Sequence, residues 1–303
     1  MDRMQHHTRG IAAILAASLL WGTTGTAASF APDVSALAIG AFAMGVAGLL
    51  LVLRSLGELA RDRARLLVQS RILLLGGLAV AIYPLAFYSA MRLSGVAVGT
   101  VVSIASAPLF TVILEWACTR RSVSLRWGLS FAFGAAGIAL LATGRPEPGS
   151  ADTGIAWTWL GVLVGLLAGL TYATYSWAAR HMIEQGVGSA SSMASMFGVA
   201  AIVLLPSLLL TGQNLFATPI NAGVALYMAL IPMFVGYLCF GYGLRYIAAS
   251  TATLITLLEP VVAVLLAVLV VGEWLAPAGW VGMTLIMLSL LMQTLRSSPD
   301  ASG

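Results

Sequence analysis

The chain runs as long apolar stretches separated by short polar joints, and this rhythm predicts its elements. Crossing the hydrocarbon core of a bilayer takes about 20 apolar residues in a helix. Stretches of that kind fall near 11–30, 34–53, 72–91, 94–117, 127–143, 157–179, 188–210, 221–244, 250–271 and 277–295. The 127–143 stretch is short, and the joint between the third and fourth is tight. A membrane barrel would alternate polar and apolar positions. Here the apolar runs are continuous, so helices that satisfy their own backbone in lipid are expected. The predicted fold class is an all-α membrane protein with ten transmembrane helices. The first run follows a short polar start and is read as a membrane helix, not as a removed signal segment.

Composition agrees with the pattern. Hydrophobic residues make up 60% of the 303 and charged residues 9%, against roughly 25% charged in soluble domains. The basic excess is entirely arginine, since lysine is absent. These arginines sit in the joints, which makes them topology signals instead of a nucleic-acid face. With the first residue inside, the inner joints hold Arg3, Arg9, Arg54, Arg61, Arg63, Arg65, Arg71, Arg120, Arg121, Arg126, Arg180, Arg245 and Arg296. The outer joints hold Arg92 and Arg145. Both termini are therefore expected in the cytoplasm of a multi-pass protein of the bacterial inner membrane. Residues 54–71 carry five of the arginines together with Glu58 and Asp62. They read either as a plain topogenic loop or as an amphipathic surface segment touching anionic lipid.

The two halves repeat each other. Met91-Arg92-Leu93-Ser94-Gly95-Val96-Ala97 precedes a run with Ala107-Pro108-Leu109-Phe110, and Leu244-Arg245-Tyr246-Ile247-Ala248-Ala249-Ser250 precedes one with Glu259-Pro260-Val261-Val262. Pro84 pairs with Pro232 upstream, and Trp127-Gly128 pairs with Trp280-Val281-Gly282 downstream. Five spans per half would insert the two repeats in opposite senses, as many secondary transporters do. The expected divisions are an N-terminal five-helix repeat over 1–145, an outside linker over 146–156 and a C-terminal five-helix repeat over 157–303.

Candidate chemistry lies inside the spans. Glu259 stands near the middle of one, where an ionised carboxylate must face protein or water. It reads as a site for a substrate ammonium or a proton, or as a carboxylate that satisfies backbone groups freed by Pro260. Thr253, Thr256 and Glu259 share one helix face, as do Thr100, Ser103 and Ser106. Such faces serve a polar solute or neighbouring helices equally well. Trp21, Tyr83, Phe87, Tyr172, Tyr175 and Tyr237 could line an aromatic cavity able to hold an ammonium, or pack in the ordinary way. Gly161, Gly165 and Gly169 form a ridge suited to close helix approach, and Gly22 and Gly25 flank two threonines. Pro84, Pro108, Pro206, Pro232 and Pro260 lie within spans, where each removes a helix hydrogen bond and permits a bend. Glu115 lies near a cytoplasmic end, within reach of Arg120 or Arg121. The two cysteines, Cys118 and Cys239, are read as reduced buried thiols.

The repeat pattern, the Trp21-Gly22 pair, Leu258-Glu259-Pro260 and the following Gly272-Glu273 resemble the drug/metabolite transporter superfamily in its EamA branch. The resemblance runs from about Ile11 to Leu295. It implies ten helices, an inverted five-helix repeat and a central cavity reached from each side in turn. It also implies export of amino acids or similar small metabolites. The first half departs from the family pattern at Glu115-Trp116-Ala117-Cys118-Thr119-Arg120.

The expected function is therefore a secondary transporter exporting aromatic or other neutral amino acids and related metabolites by alternating access. A multidrug or other small-metabolite carrier is the alternative. The expected cavity residues are Trp21, Thr24, Tyr83, Phe87, Ser103, Ser106, Tyr172, Tyr175, Tyr237, Thr256 and Glu259, with Pro84, Pro108, Pro232 and Pro260 as hinges. A phosphate-bearing cargo is disfavoured because no arginine lies deep in a span. An enzyme is disfavoured because His6, His7 and His181 lie in joints, no HExxH occurs, and no lysine exists to serve a Ser–Lys pair. No GxxxxGK[ST] sequence is present, so a gradient must supply the energy. No cofactor, metal or nucleic acid is expected. The partners are a small-molecule substrate and the lipid bilayer, and one chain suffices to form a pathway.

Overall fold

The computed structural model describes residues 2–94, 96–120, 123–143, 155–272 and 275–294. Every regular element among them is helical. The first half contains α1 (Asp2–Gly22), α2 (Thr24–Ser29), α3 (Ala36–Arg54), α4 (Leu56–Val68), α5 (Ser70–Ser94), α6 (Val96–Thr119) and α7 (Leu125–Thr143). The second half contains α8 (Ile155–Glu184), α9 (Ser189–Thr211), α10 (Pro219–Met228), α11 (Gly236–Gly243), α12 (Ala249–Ile255), α13 (Leu258–Leu266) and α14 (Pro277–Thr294). Two π-helical segments, Ala229–Val235 and Ala267–Val271, continue α10 into α11 and extend α13. The linker at 146–156 falls almost wholly outside the described residues, as do Arg121, Arg145, Glu273 and Arg296.

Among the described residues seven helices are long and apolar enough to cross a membrane: Gln5–Ser29, Ala36–Arg54, Ser70–Ser94, Trp159–Glu184, Ser189–Thr211, Pro219–Gly243 and Ala249–Val270. Three shorter apolar helices, Val102–Cys118, Leu125–Leu140 and Pro277–Met292, accompany them. Local sequence explains several boundaries. The Ser35 hydroxyl accepts from the Ala38 N–H and starts α3. Thr218 does the same for α10, with Pro219 in its first turn. Gly186, at φ +86°, takes the left-handed conformation that ends α8. Residues 54–71 are not a plain loop, because α4 fills most of that joint.

Packing joins the halves helix by helix. α3 lies on α9 and α7 on α14; α5 and α6 both lie on α8, while α11 and α13 both lie on α1. Exchanging each first-half span with its second-half counterpart returns the same set of pairs. A large core cluster contains Trp21, Met44, Tyr172, Tyr175, Phe197, Tyr237 and Phe240. A smaller one joins Ala31, Val34, Ala38, Ile39 and Ala43 to Leu215, Val224, Ala225 and Met228.

The cysteines depart from the sequence reading in one respect. Both are free, but Cys118 is exposed at the end of α6, and Cys239 is half-buried.

Candidate functional site

A cavity of about 60 Å³ opens where the two core clusters meet. Its walls come from both halves. The first half supplies Trp21 and Thr24, Gly40, Ala43 and Met44 of α3, and Tyr83, Pro84, Phe87 and Tyr88 of α5. The second half supplies Tyr172 and Tyr175 of α8, Met228, Met233, Tyr237 and Glu259.

Breaks in the helices position these side chains. The first span is interrupted at Thr23, between α1 and α2. Trp21, just before the break, donates its indole Nε1–H to the Pro232 carbonyl at 2.9 Å. Pro232 lies in the π-helical segment, where regular bonding is already disturbed. The indole can come so close because residue 236 is glycine: a Cβ there would lie 2.6 Å from Trp21 Nε1. The Thr24 hydroxyl donates back to the Trp21 carbonyl at 2.7 Å. Across the same gap Thr23 Oγ1 and Tyr227 OH lie 2.8 Å apart.

The aromatic wall is continuous. Tyr83 and Phe87 stack at 5.8 Å, one turn apart on α5. Tyr83 meets Tyr172 at 5.4 Å, and Tyr172 stacks on Tyr175 at 5.2 Å. The hydroxyls of Tyr175 and Tyr237 are 3.1 Å apart. Trp21 closes the ring against Tyr237 at 4.8 Å.

Glu259 stands at a second break. α12 stops at Ile255, and the chain turns through Thr256 and Leu257 and resumes as α13. Glu259 is in the first turn of α13 and Pro260 follows it. The Tyr172 hydroxyl donates to Thr256 Oγ1 at 2.9 Å, Thr256 donates to the Thr253 carbonyl at 2.8 Å and the Glu259 N–H to the Thr256 carbonyl at 2.9 Å, so the turn is held without the Glu259 carboxylate. Among the described residues the Glu259 carboxylate has no hydrogen-bond or ion-pair partner, and it lines the cavity. The reading that it satisfies backbone groups freed by Pro260 is not what the geometry gives.

The structure brings together Trp21, Thr24, Tyr83, Phe87, Tyr172, Tyr175, Tyr237 and Glu259, with Pro84 beside them. Thr256 lies one layer back, behind Tyr172. Ser103 and Ser106 are elsewhere. They lie where α6 meets the Gly161, Gly165 and Gly169 ridge of α8, and a Cβ on Gly169 would collide with Ser106 Oγ. Pro108 is buried within continuous α6, and neither Pro232 nor Pro260 lines the cavity. Glu115 reaches across to the second half, where its carboxylate accepts from the Ser250 N–H at 3.2 Å.

Sequence reasoning missed Tyr88, Met228 and Met233. Tyr88 is the neighbour of Phe87 and reaches the cavity because Gly40 leaves room for its ring; a Cβ at Gly40 would lie 2.7 Å from it. Met228 caps the π-helical segment and Met233 lies within it, and that segment has no clear signature in spacing.

Comparison with known proteins agrees with this architecture. The family model for the EamA-like transporter family matches twice, over residues 8–143 and 159–295. The uncharacterized transporter YwfM of Bacillus subtilis (strain 168) is 33% identical over 280 residues, covering 92% of this chain and 91% of that one. The uncharacterized inner membrane transporter YedA of Escherichia coli (strain K12) is 27% identical over 196 residues, covering 64% of this chain and 60% of its own length. A solved crystal structure superposes with a TM-score of 0.78 at 18% identity, over 94% of this chain and 96% of the other, which speaks to fold alone.

Proposed function

The chain belongs to the EamA-like transporter family, and from that premise we propose that it is a secondary transporter exporting neutral amino acids, aromatic ones foremost, and related small metabolites by alternating access. One observation carries the reading: an unpartnered carboxylate, Glu259, opens at a helix break onto an aromatic cavity between the two halves. Carriers bind cargo at such breaks, halfway through the lipid. A carboxylate ringed by tyrosine and tryptophan faces suits an ammonium group, through charge and through cation–π attraction.

Ten spans are supported by the seven long and three shorter apolar helices. Opposite insertion of two five-helix repeats follows from the odd span number per half. The self-matching packing of the halves supports a two-fold relation. The arginine bias supports cytoplasmic termini in an inner membrane. A single chain encloses the cavity, which supports function as a monomer. At about 60 Å³ the cavity holds a few waters but not an amino acid. Loading therefore requires movement, and the breaks at Thr23 and at Thr256–Leu257 are the natural points of bending, with Pro84, Pro232 and Pro260 close by. Pro84 and Pro108 both lie within unbroken helices, and Pro108, which does not line the cavity, has the weakest support as a hinge.

The second reading, a carrier of organic cations, is favoured by one further feature. Among the described residues no arginine or histidine lines the cavity to receive a substrate carboxylate. Counterflow in proteoliposomes decides between them, using each aromatic amino acid and the amine that lacks its carboxylate. Uptake of the amino acids supports the first reading. Uptake of the amines alone supports the second, and uptake of neither overturns both.

A further inference from the structure

The arginine-rich joint at 54–71 is a helix with three distinct faces. One faces the protein: Ser55, Asp62 and Leu66 are buried, with Glu58 and Leu59 partly so. Asp62 there accepts from the Gly188 N–H at 2.9 Å, at the start of α9. Arg65 donates to the Gly186 carbonyl at 2.9 Å and pairs with Asp62 at 3.3 Å. α4 is thus fastened to residues 186–188, the joint between α8 and α9 in the other half.

The remaining faces are exposed, and of their side chains Arg65 is the one tied to the second half among the bonds of the described residues. Leu56, Ala60, Arg63 and Leu67 fall at helical spacing on one exposed stripe, and Ala64 and Val68 lie beside it. Leu56 is 56% exposed, Leu67 64% and Val68 82%. Arg61 and Arg65 form the far edge, one turn apart and both exposed. Arg54 and Arg71, also exposed, bracket the helix at the ends of α3 and α5. The exposed apolar surface continues onto those spans at Leu53, Leu74 and Leu75.

An exposed apolar arc edged by arginines, set between two membrane spans, fits one occupant: the interface of a leaflet rich in anionic phospholipid. The apolar side chains enter the acyl boundary while the arginines meet phosphates, and Arg63 extends out of the apolar stripe along its own aliphatic stem. We propose that α4 is an interfacial helix seated on anionic phospholipid headgroups, and that Asp62 and Arg65 pass this seating on to the start of α9. Lipid charge thereby stiffens the contact between the two halves at the arginine-rich end of the protein. Each arginine near an anionic leaflet strengthens the seating by roughly fivefold.

Hydrogen exchange of the full chain in vesicles of phosphatidylcholine, with or without phosphatidylglycerol, tests this. Phosphatidylglycerol is expected to slow exchange severalfold in α4 and in 186–192, and high salt to reverse the effect. Arg61→Gln with Arg63→Gln should remove the lipid dependence from both segments, since among the described residues no hydrogen bond or ion pair ties either side chain to the second half. Asp62→Asn should keep it in α4 and lose it in 186–192. Equal exchange of the wild-type protein in both lipids would overturn the proposal without recourse to any variant. Protection that follows protein concentration instead of lipid charge would overturn it in favour of a second copy of the chain. Lipid-dependent protection of α4 with no change at 186–192 would overturn the transmission step.

Discussion

The fourth and ninth of the apolar helical stretches among the described residues, α6 and the pair α12–α13, are counterparts in the repeat, and they have become opposites. The fourth, α6, is unbroken from Val96 to Thr119, keeps Pro108 inside a continuous helix and lies against the glycine ridge of α8. Its carboxylate, Glu115, is buried and accepts from the Ser250 N–H. The ninth breaks at Thr256–Leu257, and its carboxylate, Glu259, faces a cavity with no hydrogen-bond or ion-pair partner among the described residues. The difference separates frame from chemistry. Duplication supplies two matching sets of helices, and the polar break in one of them supplies the candidate site. A buried carboxylate is therefore informative in proportion to what it lacks, because a satisfied one such as Glu115 already has a structural occupation.

The largest effect should come from removing that contrast. Glu259→Gln is expected to lower transport about a hundredfold, the scale of losing ~3 kcal/mol of charge-assisted binding. Its thermal stability should hold or rise, since an unpartnered carboxylate within the membrane is costly. Proteoliposome uptake alongside a thermal melt checks both. Near-normal uptake with a lowered melting temperature would make Glu259 structural and erase the distinction between the spans.

The glycines of the opening helices come next. In each half that helix lies against the other half's fourth-type span. At Gly22 a Cβ would come within 2.5 Å of Val262 and 2.9 Å of the Glu259 carbonyl, and at Gly169 it would collide with Ser106. Either glycine replaced by alanine should cost about 1–3 kcal/mol. Gly25→Ala is the control, because nothing lies within 4 Å of it, and in the first turn of α2 this change should be neutral or slightly stabilising. Thermal melts in detergent give the ranking. Equal effects at Gly22 and Gly25 would mean that α1 and α13 do not approach as closely as described. Below these comes Glu115→Gln, expected to cost ~1 kcal/mol of helix-start stabilisation while leaving transport within about twofold. A large transport defect in a stable Glu115→Gln protein would give the fourth span a chemical role after all.

Sequence made the frame legible because the bilayer forces it. Apolar length sets the spans, and the matched Pro84/Pro232 and Arg92/Arg245 pairs mark the repeat. The site was legible where a residue is expensive in lipid, as with Glu259, or where an aromatic stripe sits deep in a span, as with Tyr172 and Tyr175. Spacing alone could not separate a cavity face from a packing face. Thr253–Thr256–Glu259 and Thr100–Ser103–Ser106 carry the same period, yet Ser103 and Ser106 meet a glycine ridge while Glu259 meets open space. That outcome is set by the neighbouring helix, and no local pattern records it. Tyr88 reached the cavity through a glycine on another helix, Gly40, and the π-helical turn carrying Met233 arises around Pro232 without a periodic signal.

The smallest expected effect concerns the third carboxylate, Asp62, which like Glu115 meets a helix start in the other half. Burial alone would raise its pKa. The neighbouring Ser191 hydroxyl, the Gly188 N–H and the Arg65 guanidinium outweigh burial and hold it below the usual aspartate value. A carboxylate with a depressed folded-state pKa stabilises the fold above its unfolded value, near 3.9, and that contribution is lost as pH falls through the lower folded value. Melting temperature should therefore be insensitive to Asp62 ionisation from neutral pH down to about 5 and should fall below about 4. Asp62→Asn should be slightly less stable at neutral pH and should converge on the wild-type protein in acid. Because Arg65 is well exposed, solvent screens much of its pull on Asp62, and the gap between the two curves should be small beside the glycine effects. Curves that stay parallel down to acid would mean that the Asp62 carboxylate gains nothing from the start of α9. Among the described residues the buried carboxylates that meet a helix start, against which Glu259 stands out, would then shrink to Glu115 alone.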